Sequence, residues 1–313
     1  VIILAFNDRK AILRCLASAQ DLDYPNDHLL VVDNASADDT VSAVRQAYPS
    51  CEIIINEENL GFAAGCNVGM AHALNQGADF ILLLNQDTLA APDLLTVLVE
   101  TAYQKPTAGI IAPKTYFLEP MPDGRPRLLY AGSWRFRLPL EQRLPGIGQA
   151  DSGQYDTPTP VDYAWGHGML LRAEMLRTIG LFDPAFFMYY EDMDLCRRAR
   201  AAGYEVWYEP RTHMWHDTPD GARANASQSW RWRYKVNSLR VFYRKHYGRL
   251  RGWILTALHV LNEGRQLWCS GHHRAARHVV SHWLRAIRPI AGDTCTERSP
   301  SACTERSRSE GNH

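Results

Sequence analysis

The sequence predicts an α/β protein built on a mainly parallel, doubly wound sheet, with a helical appendage towards its C-terminal end. Three observations predict it. Short apolar runs recur along the first 85 residues, each followed by a segment whose apolar residues repeat at helical spacing. The runs lead into Asn, Asp or Ser, residues that open loops and helices. Beyond residue 230 the pattern changes to long amphipathic stretches rich in arginine and aromatic residues.

Taken in order, residues 1–6 form the first strand, and 9–19 a helix with Ile12, Leu13 and Leu16 on one face. Residues 29–33 are the second strand, and 38–48 a helix opened by acidic residues that suit its positive end. Strand 52–56, helix 62–75 and strand 79–85 complete the alternation. A ligand then belongs at the carboxyl ends of these strands. Residues 120–160, rich in Pro, Gly and Arg, read as a long insertion with hairpins, and 161–210 as a second structured block. The expected division is a catalytic-type domain over 1–229, a basic amphipathic helical segment over 230–290 and a disordered tail over 291–313, where Cys-Thr-Glu-Arg-Ser occurs twice.

The chain has 313 residues, enough for a substantial core, and its 46% hydrophobic and 22% charged residues are ordinary for a globular protein. Seven scattered cysteines without zinc-site spacing point to reduced thiols in the cytoplasm. Residues 1–6 are too short for a signal peptide, and Val1 lies inside an apolar run, so residues upstream are expected to be missing. The apolar stretch 252–261 is about half of what spans a bilayer, so no crossing is expected. A net charge of zero hides an asymmetry: residues 1–230 hold 18 basic and 29 acidic residues, whereas 231–290 hold 13 basic and one acidic. The basic segment either packs on the domain or meets an anionic membrane surface, the inner face of the plasma membrane. The acidic remainder argues against nucleic acid.

The strand ends carry the chemistry. They read Asn7-Asp8, then Asp33-Asn34-Ala35-Ser36, Asn59-Leu60-Gly61-Phe62 and Asn85-Gln86-Asp87. Any one is an ordinary turn or cap; four at one sheet edge describe a pocket. Asn85 and Asp87 place two oxygen-bearing side chains where Mg²⁺ or Mn²⁺ could be held against a diphosphate. Asp33 suits hydrogen bonds from a base or ribose. Further on, Glu191, Asp192 and Asp194 follow an aromatic run. They are either paired by Arg197, Arg198 and Arg200, or include a general base raised by desolvation. His216 is either a structural residue or a metal ligand.

This ordered set resembles family 2 glycosyltransferases of the GT-A fold, in particular the rhamnosyltransferase-like branch. The resemblance runs from Val1 to about Tyr247 through Val32-Asp33-Asn34-Ala35-Ser36, Asn59-Leu60-Gly61-Phe62-Ala63, Leu83-Leu84-Asn85-Gln86-Asp87, Gly180-Leu181-Phe182-Asp183 and Tyr190-Glu191-Asp192 to His216. It implies a nucleotide-diphospho-sugar transferase fold and inverting transfer of a hexose, rhamnose-like or from a UDP-hexose. The acceptor it implies is a hydroxyl of a lipid-linked or polysaccharide glycan of the cell envelope. By the same resemblance Asp192 is the general base with Glu191 beside it, and Asp87 and His216 bind the metal. Donor contacts fall on Asn7, Asp33, Asn34, Asn59, Gly61, Phe62, Asn67, Asn85 and Gly166. Gln86 stands where proline is common, Asn85 where aspartate is, and His167 where a small residue is usual. The rival readings are a sugar nucleotidyltransferase, disfavoured because Asn7-Asp8-Arg9-Lys10-Ala11 lacks a glycine-rich grip, and an inactive carbohydrate-binding scaffold.

Overall fold

A computed structural model describes residues 1–135, 142–217 and 229–286; the expected tail at 291–313 lies outside them. The elements run β1 (Ile2–Ala5), α1 (Arg9–Gln20), β2 (Leu30–Asp33), α2 (Thr40–Ala47), β3 (Glu52–Ile55), α3 (Gly61–Asn75), β4 (Phe80–Asn85), β5 (Thr88–Ala90) and α4 (Leu94–Gln104). Then come β6 (Ala108–Phe117), β7 (Leu128–Tyr130), β8 (Trp134–Arg135), β9 (Gln142–Arg143), β10 (Thr159–Val161), β11 (Gly168–Arg172), α5 (Ala173–Ile179), α6 (Glu191–Ala201) and β12 (Glu205–His216). Three helices follow, α7 (Ser229–Tyr247), α8 (Arg249–Cys269) and α9 (His273–Ala286).

Among the described residues the main sheet has ten strands. Its order is β10-β12-β6-β11-β4-β1-β2-β3, with β5 against β12 and β7 against β6. Strands β1, β2, β3, β4, β6 and β12 share one direction, so the sheet is mainly parallel as the alternation predicts. Strand β11 runs against β4 and β6, and β10, β5 and β7 are also antiparallel, which makes the second half mixed. Periodicity reports which residues are buried, not strand direction, and this part was not legible.

Both faces of the sheet are covered, which explains the near-continuous apolar runs of its central strands. Ile3, Ala5, Val31, Leu82 and Leu84 pack on the face that α1, α2 and α4 cover, with Ile12, Leu16, Val44 and Leu98. Ile2, Leu30, Val32, Ile81 and Leu83 face the other way, into a core shared with Met70 of α3, Leu195 of α6 and Phe242 of α7. Glycines in α3 let it lie close: a Cβ on Gly69 would collide with Ile2 and Val32.

The 120–160 insertion folds as short strands and the β8–β9 hairpin. It is clipped to the sheet by Lys114, which is 3% exposed and pairs with Asp151 and Asp156, and by the Tyr116 hydroxyl donating to Asp151 at 2.6 Å. Among the described residues the segment after 229 forms three helices. Helix α7 buries Trp232, Val236, Leu239, Phe242 and Tyr243 in the same core as the catalytic-type domain. Among the described residues no helix is long and apolar enough to cross a membrane.

Candidate active site

Because β1, β2, β4 and β12 run in one direction, their carboxyl ends gather the predicted strand-end residues at one sheet edge. Asp33 is 1% exposed; its Oδ2 accepts from the Ser36 N–H at 2.9 Å, while Oδ1 is buried with no hydrogen-bond partner among the described residues. A buried carboxylate oxygen left unpaired is costly, and a donor group of a ligand would satisfy it. Asn7, with φ of +48°, accepts from the Ala37 N–H at 2.7 Å and donates its own N–H to the Ser36 hydroxyl at 2.9 Å, closing the β1 loop over the β2 loop.

Asn34 departs from the donor contact expected of it. Its amide donates to Asn59 Oδ1 at 2.9 Å and to the Gly61 carbonyl at 3.0 Å, and accepts from Asn56 and from the Leu60 N–H, both at 3.1 Å. All four of its bonding positions are therefore used in holding the loop before α3. Asn59 takes part in the same knot, accepting also from the Gly61 N–H at 2.9 Å. Asn67 likewise serves the scaffold: it donates to the Phe182 carbonyl at 2.8 Å and accepts the Phe182 N–H at 3.0 Å. Gly61 has φ of +79°, and a Cβ there would run into the Phe187 carbonyl. The next N–H, of Phe62, donates to that same carbonyl at 2.6 Å.

The second group lies at the ends of β4 and β12. His216 Nε2 approaches Asp87 Oδ1 at 3.0 Å, and both side chains keep a partly exposed rim position. Asn85 donates its N–H to the His167 carbonyl at 3.0 Å. Gln86 is bound both ways to Phe6, accepting its N–H at 2.8 Å and donating to its carbonyl at 3.0 Å. Where proline is common, this glutamine extends the β1–β4 ladder by one side chain. Among the described residues no three of His, Cys, Asp and Glu converge as a closed metal cage. Asp87 and His216 offer one hard oxygen and one imidazole nitrogen, which fits an ion that takes most of its shell from diphosphate and water.

The third group is the start of α6. Asp192 Oδ2 accepts the Gly166 N–H at 3.0 Å, and Oδ1 accepts the Met193 N–H at 2.7 Å. Burial pushes its carboxyl above the ordinary range, and those backbone bonds offset only part of the push. Glu191 is 5% exposed, its Oε2 has no partner among the described residues, and burial followed by the Asp192 charge raises it well above the usual value. Of the two, Asp192 is partly exposed and Glu191 is buried. Gly166 cannot carry a side chain easily: a Cβ would sit 3.2 Å from the Phe62 ring and 3.6 Å from Asp192.

Sequence reasoning left Asp194 open between pairing and catalysis, and the geometry assigns it to pairing. It is 0% exposed and accepts from Arg198 at 2.8 Å, Lys245 at 3.0 Å and His246 at 2.8 Å. Burial pushes its carboxyl up, but the bonds from His246, Arg198 and Lys245 outweigh this and hold it at about 2. One feature had no usable signal. Tyr189 and Tyr190 have φ of +69° and +68° just before Glu191, a conformation that costs bulky residues roughly 1–3 kcal/mol each. Helix α7 holds them there: the Ser238 hydroxyl donates to the Met188 carbonyl at 2.7 Å, Tyr234 stacks on Phe187 at 4.5 Å and Phe242 lies 5.7 Å from Tyr190. His167, already notable in the sequence for standing where a small residue is usual, is buried. Burial, and after it His216, hold its imidazole well below the ordinary value.

The mainly parallel sheet covered by helices on both faces, with its polar strand ends at one edge, is of the GT-A class of fold. Solved structures agree at the level of fold. The mannosyltransferase PcManGT from Pyrobaculum calidifontis, in complex with GDP-Man and Mn²⁺, superposes with a TM-score of 0.56 at 16% identity, covering 93% of this chain and 87% of that one. GalNAc-T7 with UDP, GalNAc and Mn²⁺ gives a TM-score of 0.62 at 12% identity, covering 94% and 58%. The model of the family described as glycosyl transferase family 2 matches residues 1–180, and the chain belongs to that family. It is 27% identical over 205 residues to N-acetylglucosaminyl-diphospho-decaprenol L-rhamnosyltransferase of Mycobacterium tuberculosis, 60% of this chain and 66% of the relative. It is 37% identical over 87 residues to rhamnosyltransferase WbbL of Escherichia coli, 28% of this chain and 33% of that one. The chain thus spans just under two thirds of the first relative and a third of the second.

Proposed function

We propose that this protein is an inverting hexosyltransferase that uses a divalent cation and a nucleotide-sugar donor. The observation that carries the reading is the bridge Trp165-Gly166-His167: the Gly166 N–H holds Asp192 while the next residue stacks on His216, the partner of Asp87. Base and metal pair are thereby parts of one site. Asp192 takes the proton of the acceptor hydroxyl as its oxygen attacks the anomeric carbon, and the nucleoside diphosphate leaves from the opposite face. Asp87 and His216 would hold Mg²⁺ or Mn²⁺, which supplies positive charge for the leaving diphosphate. Asp33 offers its unpaired oxygen to the base or ribose of the donor, with Asn7, Gly61, Phe62 and Asn85 around it. Asn34, Asn59 and Asn67 act by holding that loop. The names of the two relatives point to a deoxyhexose such as rhamnose, and the name of the first points to a lipid-linked acceptor.

The same reading places the enzyme against a membrane. Of the large apolar side chains that stay exposed, Leu250, Trp253, Ile254, Leu258, Leu261 and Trp268 lie on α8 and Leu284 on α9. Arg249, Arg251 and Arg265 are exposed on α8 too. An anionic lipid surface suits that combination and would present a lipid-linked acceptor.

Thermal-shift titration with a panel of sugar nucleotides and Mn²⁺ tests the reading. The donor raises the melting temperature by mass action, and Asp87→Ala abolishes the Mn²⁺-dependent part of the rise. Absence of any shift across UDP, dTDP and GDP sugars would sink it.

A further inference from the structure

We propose that His167 is the positioning residue of the metal pair, an inference that rests on reading Asp87 and His216 as metal ligands. Its ring lies nearly parallel to that of His216, with centroids 4.9 Å apart and planes 14° apart. The His167 ring cannot turn freely. It is buried, its Nε2 lies 3.1 Å from the Thr115 hydroxyl, and the rings of Trp165 and Tyr130 meet it edge-on at 5.6 Å and 6.3 Å. Through its backbone the same residue acts on the other half of the pair. Its carbonyl accepts the Asn85 N–H at 3.0 Å, fixing the strand end two residues before Asp87.

An imidazole ligand must present its nitrogen along one direction, and free rotation about the side-chain bonds weakens metal affinity. His216 is at the last position of its strand, and although its backbone pairs with Thr88 and Phe117, that pairing leaves its side-chain torsions free. A flat neighbour stacked on one face removes that freedom without touching the nitrogen that faces Asp87. A small residue at 167 could not do this.

The test is Mn²⁺ affinity in the presence of UDP, read as free Mn²⁺ by electron paramagnetic resonance, with melting temperature without metal as the control for folding. His167→Ala is expected to weaken Mn²⁺ binding about 10- to 100-fold, the usual effect of losing a residue that orients a ligand. His167→Phe, which keeps the stacked face, is expected to restore most of it. Parent-like affinity in His167→Ala overturns the proposal, and so does equal loss in both variants. If His167→Ala does not fold, Thr115→Val decides: it releases the ring edge, weakened Mn²⁺ binding supports the proposal and unchanged binding overturns it. Asp87→Ala separates the two levels. If it binds Mn²⁺ like the parent, the metal reading and this inference both fall. If it alone loses Mn²⁺, only the role of His167 falls.

Discussion

The backbone N–H of Gly166 donates to Asp192 at 3.0 Å, and the aspartate is nevertheless raised above the ordinary carboxylate range. Two N–H donors favour the ionised form, and Asp192 also sits in the first turn of α6, where the helix end favours negative charge. Burial outweighs them. A carboxylate so placed is held in one orientation by the backbone and has its basicity raised by its surroundings, as the proposed general base requires.

Asp192→Asn should therefore leave donor affinity unchanged and lower turnover by roughly two to four orders of magnitude, the usual contribution of a general base. Only the ionised form accepts a proton, so activity falls as pH drops through the raised value. The acid limb of the kcat/KM profile should lie above the ordinary aspartate range. A limb at or below that range, or near-parent turnover by Asp192→Asn, rejects the assignment.

Glu191 gives a prediction of opposite kind. Its folded value is raised well above 4.5 by burial and by Asp192. Below 4.5 both folded and unfolded chains carry the proton; above it the unfolded chain ionises freely and the folded chain does not, so stability declines as pH rises. Glu191→Gln removes the titration. Urea melts at pH 5 and pH 8 should show the variant gaining on the parent at pH 8. An equal difference at both pH values refutes the buried, proton-holding state.

The parallel half of the sheet and the strand-end loops were legible because a two-sided sheet needs unbroken apolar runs, and their ends must turn polar. Asp33 and Asp87 stood out by that logic, and Asp192 by standing among carboxylates directly after an aromatic run. The role of Asn34 did not, since an amide that knots a loop looks in sequence like one that meets a ligand. The antiparallel strands of the second half are two to five residues long apart from their long partners, too short for a period to show. The strained Tyr189-Tyr190 pair was hidden for a different reason: nothing in two tyrosines announces a positive φ, which tertiary contacts with α7 impose.

Asp194 predicts how firmly α7 belongs to the catalytic domain. A carboxyl lowered from 3.8 to about 2 contributes roughly 2 kcal/mol of stability at neutral pH. The sign follows from the depression: the contribution is full above 3.8 and is lost as pH falls towards about 2. Asp194→Ala also leaves Arg198, Lys245 and His246 without their shared partner, so a loss of about 3 kcal/mol is expected at pH 7. Urea denaturation measures it, and a loss under 1 kcal/mol would mean that the cluster does not secure α7.

That anchoring changes how the membrane reading must be tested. Removing everything after residue 229 would strip α7 from Asp194 and from the strained Tyr189-Tyr190 turn, so a truncated chain that failed to bind lipid would prove nothing. Point variants on α8 avoid this, because Trp253, Leu258 and Leu261 are 50%, 47% and 52% exposed and hold little of the fold together. They recur at helical spacing on one side, and the single acidic residue of the helix, Glu263, is turned to Lys235 at 2.9 Å. What remains outward is apolar and basic, and each arginine near an anionic surface adds about 1 kcal/mol. The parent should co-sediment with phosphatidylserine-containing vesicles, less at high salt and less with neutral lipid. Leu258→Glu with Leu261→Glu should abolish binding with an unchanged melting temperature, since glutamates there meet like charge on the lipid and lose the apolar contact. If the double variant binds as the parent does, the face is not the anchor. If it instead dissociates a dimer in sedimentation velocity, the face joins two copies of the chain.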